Sequence, residues 1–563
     1  MASRRSAPTG TGSGAGRVQD VTSTTDQQRL ADVEQAVKAS DLARGIALAR
    51  QALADGVEHP LLLNLRALDF ERQGQLDAAL ADLERARKLA PRDWGLANAL
   101  GLCLAQLDRM TDAVLAFDDA IRLQPAFVQA HFNRGWALEN GGDLIEARLS
   151  FEQAVALKPD YADALAKLAQ LAARRGQHDE VAAYADQALK IAPGHPSANL
   201  ALATAEVSRG EDKAAEARLR QVLADAAVPP FDRAMAFSTL GNALDAQDRV
   251  AEAFAAYADA NGVLRQIHAP RFDAPGLQTA TDYVRMLEAH FGAAPADFWR
   301  GGAGLEAPAP VDVHVFLLGF PRSGTTLLES VLASHPDVTV LEEKDTLGEA
   351  TRDLMRNAAS LERLTAASDE ALDAYRASYW RYVQGQTSDG LGRVVIDKLP
   401  LNTVKLPLIS RLFPQARIIF AVRDPRDVVL SCFRRQFRMN PSMFEFLSLD
   451  RAAAFYDAVM RFGDVCLSRI ELPVHTHYYE QLVTDFEATA RQVCEFVDVP
   501  WTEALWTFAD RAREGRVATT SSPQVARGLY TDAKDQWRRY QAELASVTPL
   551  LRPWVNRFGY PAA

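Results

Sequence analysis

Between Val313 and Ser330 the chain reads Val-His-Val-Phe-Leu-Leu-Gly-Phe-Pro-Arg-Ser-Gly-Thr-Thr-Leu-Leu-Glu-Ser, and the residue types in its middle are those that hold an anion. Gly319 and Gly324 stand five residues apart, which lets the backbone turn tightly and aim successive N–H groups at a negative charge. Leu327, Leu328, Val331 and Leu332 follow with helical spacing, so the bound anion would sit on a helix N-terminus. A magnesium-nucleotide loop of the form G-x-x-x-x-G-K-[ST] needs Lys directly after the second glycine. Here that place holds Thr325, with Thr326 after it, and the cation is Arg322 inside the loop. The planar donor fork of Arg suits an oxyanion without a metal bridge. The spacing therefore predicts a metal-free, P-loop-like site for a ligand carrying a 5'-phosphate.

The elements that must position this loop read as an α/β domain. Val313–Leu318, Val338–Leu341, Arg393–Ile396, Ala416–Val422 and Val474–Tyr479 have the apolar, β-branched composition of short strands. Helical stretches lie between them, one long one running to about Gln386 and another from Thr403 to Phe413. Strand and helix in alternation predict a mainly parallel sheet, which binds ligands at the carboxyl ends of its strands. Arg322, Glu343, Lys398, Arg423 and Tyr479 fall at those ends. From Leu391 to Asn440 ten Lys or Arg stand against three Asp and no Glu, a local positive excess that fits an anionic ligand. The net charge of the whole chain, −11, argues against nucleic acid as the partner.

A chain of 563 residues has room for more than one domain. No apolar run reaches the length of about 18–20 residues that spans a bilayer, so no membrane partner is expected. The Gly-, Ser- and Thr-rich residues 1–25 are read as a disordered lead. Cys103, Cys432, Cys466 and Cys494 lack metal or disulfide spacing and are expected as buried thiols of a cytoplasmic protein. His475 and His477 share one face of a strand without a carboxylate or Cys at ligand spacing, so no metal is expected there either.

The first half repeats. Pro91, Pro125, Pro159 and Pro193 are each 34 residues apart, and Ala86, Ala120, Ala154 and Ala188 keep the same frame. That period, with Gly101 before Phe117 and Gly135 before Phe151, is similar to the tetratricopeptide repeat, a helix pair whose small residues admit an aromatic and whose Pro stops the second helix. About seven such units, with a degenerate copy at Ala162–His195, are expected over 26–262 as an all-α superhelix. A linker with one helix is expected over 263–310, and the α/β domain over 311–563. Asn64, Asn98, Phe132 and Trp136 are candidates to line a groove for an extended peptide, the plain alternative being that the Asn residues are simply exposed and Trp136 packs against a neighbouring repeat.

Two further motifs make the resemblance of the second half specific. Gly319-Phe-Pro-Arg-Ser-Gly-Thr-Thr326 resembles the 5'-phosphosulfate loop of sulfotransferases, and Arg423-Asp-Pro-Arg-Asp-Val-Val-Leu-Ser431 resembles their 3'-phosphate motif. Ser334-His-Pro-Asp-Val338, Leu341-Glu-Glu343, Asp397-Lys-Leu-Pro400 and Tyr478-Tyr-Glu-Gln-Leu-Val483 are similar to the protein-tyrosine branch. The resemblance implies 3'-phosphoadenosine 5'-phosphosulfate as co-substrate. Arg322, Ser323, Gly324, Thr325 and Thr326 would hold its 5'-phosphate, and Arg423, Ser431 and Tyr479 would complete the cofactor site. It implies Glu343 as general base and Lys398 as the cation on the leaving oxygen, with Arg322 beside it. The choice of Glu343 over Glu342 rests on the resemblance, and the plain alternative for Lys398 is an ion pair with Asp397 or Asp424. Arg426 and Asp427 are read as a helix-start ion pair. Thr520-Ser-Ser-Pro-Gln-Val-Ala-Arg527 resembles a closing loop, with Ser521 at a catalytic position and Arg527 on the cofactor. Protein tyrosine is the favoured acceptor, with a further protein partner in the repeat groove. The alternatives are a small phenol or polysaccharide acceptor, or an inactive scaffold that binds peptides through the repeats.

Overall fold

The computed structural model describes residues 24–302, 306–387, 390–513, 525, 528–529 and 533–562. The chain divides into two compact units, residues 1–224 and 225–563. Most of the lead read at 1–25 lies outside the described residues.

The first unit is built of helix–turn–helix pairs, beginning with Thr24–Lys38 and Leu42–Ala54 and ending with Pro196–Ser208 and Asp212–Ala224. The 34-residue frame is the frame of its core: Ala79, Ala113, Ala147, Ala86, Ala120, Ala154 and Ala188 are all buried. Glycine admits the aromatic between paired helices. A Cβ on Gly101 would lie 2.5 Å from the Phe117 ring, and one on Gly135 would lie 2.8 Å from that of Phe151. In the degenerate copy Val181 and Ala185 fill the same buried places. Phe132 is also core: its ring lies 5.5 Å from Phe151 and 5.1 Å from Tyr161, and Trp136 packs among the same repeats. These aromatics join repeats rather than face a peptide, while Asn133 donates to Asn98 at 2.9 Å.

The second unit opens with one more helix pair, Pro230–Ala246 and Val250–Phe272. The segment read as a linker is largely packed structure. On the helix Ala280–Gly292, Val284, Leu287 and Phe291 join Phe298 and Trp299 in the main core of this unit. The helical spacing supplied that apolar face, and Gly-, Ala- and Pro-rich composition prevails only after it.

Among the described residues the sheet has five strands: β1 (Val313–Gly319), β2 (Val338–Glu342), β3 (Val394–Lys398), β4 (Arg417–Val422) and β5 (Val474–Tyr478). Their order is β2-β3-β1-β4-β5, and every pairing is parallel. β1 and β3 are buried along their whole length, which is why they read as continuous apolar runs. Alternate side chains of β1 feed two cores. Val313, Val315 and Leu317 pack on one side, and Phe316 and Leu318 on the other. Between β2 and β3 the single long helical stretch expected is three helices, Gly348–Leu354, Ala358–Ala366 and Asp369–Gly385. The second starts at a capping box made by Asn357 and Ser360, a signal that competes with continued helical spacing.

Candidate active site

The carboxyl ends of all five strands deliver a polar residue to one edge of the sheet. β1 ends at Gly319 and opens the loop, β2 is followed by Glu343, and β3 ends with Lys398. β4 is followed by Arg423 and β5 by Tyr479. Because the strands are parallel neighbours, residues up to 160 positions apart in sequence meet there without long connections.

The loop between β1 and the helix Thr325–Leu332 turns on three left-handed positions, Gly319 (φ 150°), Arg322 (φ 73°) and Gly324 (φ 88°). At Gly324 the need for glycine is double, since a Cβ there would also lie 2.5 Å from the Tyr479 ring. A left-handed Arg is uncommon and stores strain, and such residues gather at functional sites. Ser323, Thr325 and Thr326 are buried at the helix start, where the first N–H groups lack intrahelical partners. Arg322 Nε donates to Ser431 Oγ at 2.9 Å, across 109 residues of sequence. Arg423 donates to the Arg322 carbonyl at 3.2 Å and to that of Ala533, and its guanidinium lies 4.8 Å from the Tyr479 ring centre. Loop, Arg423, Ser431 and Tyr479 thus form one cationic cradle.

Beside it lies a lysine between two carboxylates. Lys398 Nζ is 2.8 Å from Glu329 Oε2 and 2.9 Å from Glu343 Oε1, and its side chain is wholly buried. Glu343 also donates its backbone N–H to the Lys398 carbonyl at 2.8 Å and has φ 48°. Burial works against the Lys398 charge, but the two carboxylates win and hold the ammonium above its ordinary value. Burial pushes Glu329 up to about 7, opposed by Lys398. Asp397, the next residue on β3, points elsewhere and is bonded by Thr346 and by the Tyr379 hydroxyl at 3.1 Å. Its burial raises it to about 6.

Residues 314–503 match the model of the Sulfotransferase family. They contain the loop, both carboxylates, Lys398, Arg423, Ser431 and Tyr479. The second unit carries a sulfotransferase domain. Three tetratricopeptide repeat models match residues 64–126, 128–161 and 172–236. Protein-tyrosine sulfotransferase 1 of Danio rerio is 28% identical over 263 residues, covering 44% of this chain and 72% of its own length. Protein-tyrosine sulfotransferase A of Caenorhabditis elegans is 27% identical over 260 residues, covering 44% of this chain and 67% of its own. An uncharacterized protein of Aquifex aeolicus is 26% identical over 258 residues, and the match spans 33% of that protein.

In the sulfotransferase domain, every sequence-derived candidate except Ser521 and Arg527 stands at this edge. Those two lie outside the described residues. Lys398 pairs with neither Asp397 nor Asp424. Asp424 takes both arms of Arg426, at 3.0 and 2.7 Å, so the ion pair read as Arg426–Asp427 is replaced by Arg426–Asp424. Asp427 instead accepts the Trp537 backbone N–H at 2.7 Å and lies 3.7 Å from Arg423. The positive excess from 391 to 440 is spread by the fold: Arg434 pairs with Asp245, and Arg417 donates to the Phe496 carbonyl. Glu329 was not singled out from the sequence. A carboxylate one turn into an otherwise apolar helix start, Thr-Thr-Leu-Leu-Glu, was the available signal.

Proposed function

We propose that this chain transfers a sulfuryl group from 3'-phosphoadenosine 5'-phosphosulfate to the hydroxyl of a protein tyrosine. The observation that carries the reading is the Arg322–Ser431 hydrogen bond, because it joins the two halves of a bisphosphate cradle at one strand edge. The glycines, the left-handed Arg322 and the helix start fit a 5'-phosphate, and Arg423 with Ser431 fits a 3'-phosphate, which ATP does not have. The donor supplies an activated sulfur–oxygen bond.

The chain's own groups then divide the work. As the bond from sulfur to the phosphate oxygen breaks and a bond from sulfur to the phenol oxygen forms, the phenol proton passes to Glu343. Lys398 faces the oxygen that gains charge, and Arg322 neutralises the same phosphate. The half-exposed Glu343 side chain is reachable by an acceptor, whereas buried Glu329 is not. Two relatives bear the name protein-tyrosine sulfotransferase, which supports a protein acceptor, and the repeats supply a surface for protein partners. A cytoplasmic site of action belongs to the same proposal, from the sequence spacing of the four cysteines, all of which are buried.

Ligand-dependent melting tests the donor. Adenosine 3',5'-bisphosphate at 100 times its Kd is expected to add about 2.7 kcal/mol of stability and raise Tm, while ATP with magnesium leaves it unchanged. Stabilisation by ATP with magnesium alone overturns the reading.

A further inference from the structure

Glu329 has no place in the chemistry described above, yet it makes the shorter of the two contacts to Lys398. It lies one turn into the helix Thr325–Leu332, whose start is the phosphate loop itself. Its side chain is 7% exposed, against 43% for Glu343. The two carboxylates on Lys398 are therefore unlike in access. One is locked in the loop helix, and the other stands at the open end of β2 in a left-handed conformation.

The Lys398 ammonium donates a hydrogen bond to Glu343 and is held by Glu329 as an ion pair at 2.8 Å. When Glu343 turns to the acceptor hydroxyl and takes its proton, it becomes neutral and withdraws as a counter-charge. A buried ammonium without a counter-charge is costly, and unless a second anion remains Lys398 would shift or lose its proton at the moment its charge is needed. Glu329 is placed to prevent both. Burial, and after it the charges of Glu342 and Glu343, disfavour its ionised form, while Lys398 favours it, and Glu329 in turn favours the charge on Lys398.

We propose that Glu329 is a positioning residue, which fixes the Lys398 ammonium against the phosphate loop independently of Glu343 and so frees Glu343 to act as the base. This rests on the sulfotransferase reading above. It makes the helix Thr325–Leu332 bifunctional: its first turn holds the donor and its second holds the cation that assists departure.

Two measurements separate the proposal from that reading. In crystal structures of the full chain with adenosine 3',5'-bisphosphate, Glu343→Gln is expected to leave Lys398 Nζ on Glu329, and Glu329→Gln to displace it from its place beside the loop. In sulfuryl-transfer kinetics Glu329→Gln is expected to lower kcat by about 100-fold with the donor KM within about twofold, since a misplacement of about 1 Å costs that much. Glu329→Asp should recover part of the loss. An unchanged kcat in Glu329→Gln, a donor KM that changes in step with kcat, or a Lys398 that stays in place without Glu329 overturns the proposal. A wild-type chain that transfers nothing from this donor refutes the functional reading instead, and the crystal arm still decides what holds Lys398.

Discussion

Lys398, Glu343 and Gly324 give the sharpest consequences at the scale of single residues. Lys398→Ala removes the cation proposed to act on the leaving oxygen and takes from buried Glu329 its ion-pair partner. We expect kcat to fall by about 100- to 1000-fold, and stability to fall by about 3–5 kcal/mol in denaturant titration. Glu343→Gln is expected to reduce kcat by about 100- to 10,000-fold, with stability within about 0.5 kcal/mol of wild type because the side chain is half-exposed. That contrast in stability between two residues that touch each other checks the assignment of buried and exposed roles. Gly324→Ala meets both a left-handed backbone and the Tyr479 ring. It should cost roughly 1–3 kcal/mol and abolish the Tm rise with adenosine 3',5'-bisphosphate. At this scale the loop residues, Glu343, Lys398, Arg423, Ser431 and Tyr479 were all legible in the sequence, because each sits in a motif or at the end of an apolar run. Glu329 was not, because a carboxylate next to Leu327 and Leu328 reads as a helix surface position until the fold places Lys398 over it.

β3 is the element on which two buried charges meet, and their environments differ. Lys398 has ionic partners at hydrogen-bond distance, whereas Asp397 accepts from the Thr346 and Tyr379 hydroxyls and is raised to about 6 by burial. Between its ordinary value of 3.8 and about 6 the folded chain binds a proton that the unfolded chain does not. Stability contributed by Asp397 is therefore full below about pH 4 and is lost as pH rises through about 6. The size is on the order of 3 kcal/mol. In chemical denaturation from pH 4 to 7, the stability of the native chain relative to Asp397→Asn should show this fall. The comparison with the variant isolates Asp397, because Glu329 and Asp427, raised to about 7 and about 6 by burial, add slopes of the same sign, and His314 and His477, lowered to about 3 by burial, add slopes of the opposite sign. The strands were legible because burial on both faces writes continuous apolar runs. The three helices from 348 to 385 merged into one expected helix, since the spacing continues across the Asn357 cap.

At the scale of the molecule, the last helix pair belongs with the sulfotransferase domain. Asn261 donates to the Phe433 carbonyl at 2.8 Å, Phe254 stacks on Phe433 at 5.1 Å, and Arg434 pairs with Asp245. Phe433 and Arg434 end the helix that carries Ser431, so this pair braces the Ser431 side of the cradle. A chain beginning at residue 225 is expected to bind adenosine 3',5'-bisphosphate with Kd within about threefold of the full chain. One beginning at residue 273 is expected to lose binding or fail to fold, as titration calorimetry and circular dichroism would show. The 34-residue period made the repeats readable but did not show that the last pair packs with the α/β domain, because the sequence pattern of a helix pair is blind to which neighbour covers its outer face.

The central claim is the transfer itself. With 35S-labelled 3'-phosphoadenosine 5'-phosphosulfate, the full chain and a tyrosine peptide, label is expected on the peptide's tyrosine oxygen, and the Lys398→Ala and Glu343→Gln chains should leave it almost unlabelled. Label that appears at the same rate with those two substitutions, or no label on any hydroxyl acceptor from a chain that binds adenosine 3',5'-bisphosphate, would contradict the account.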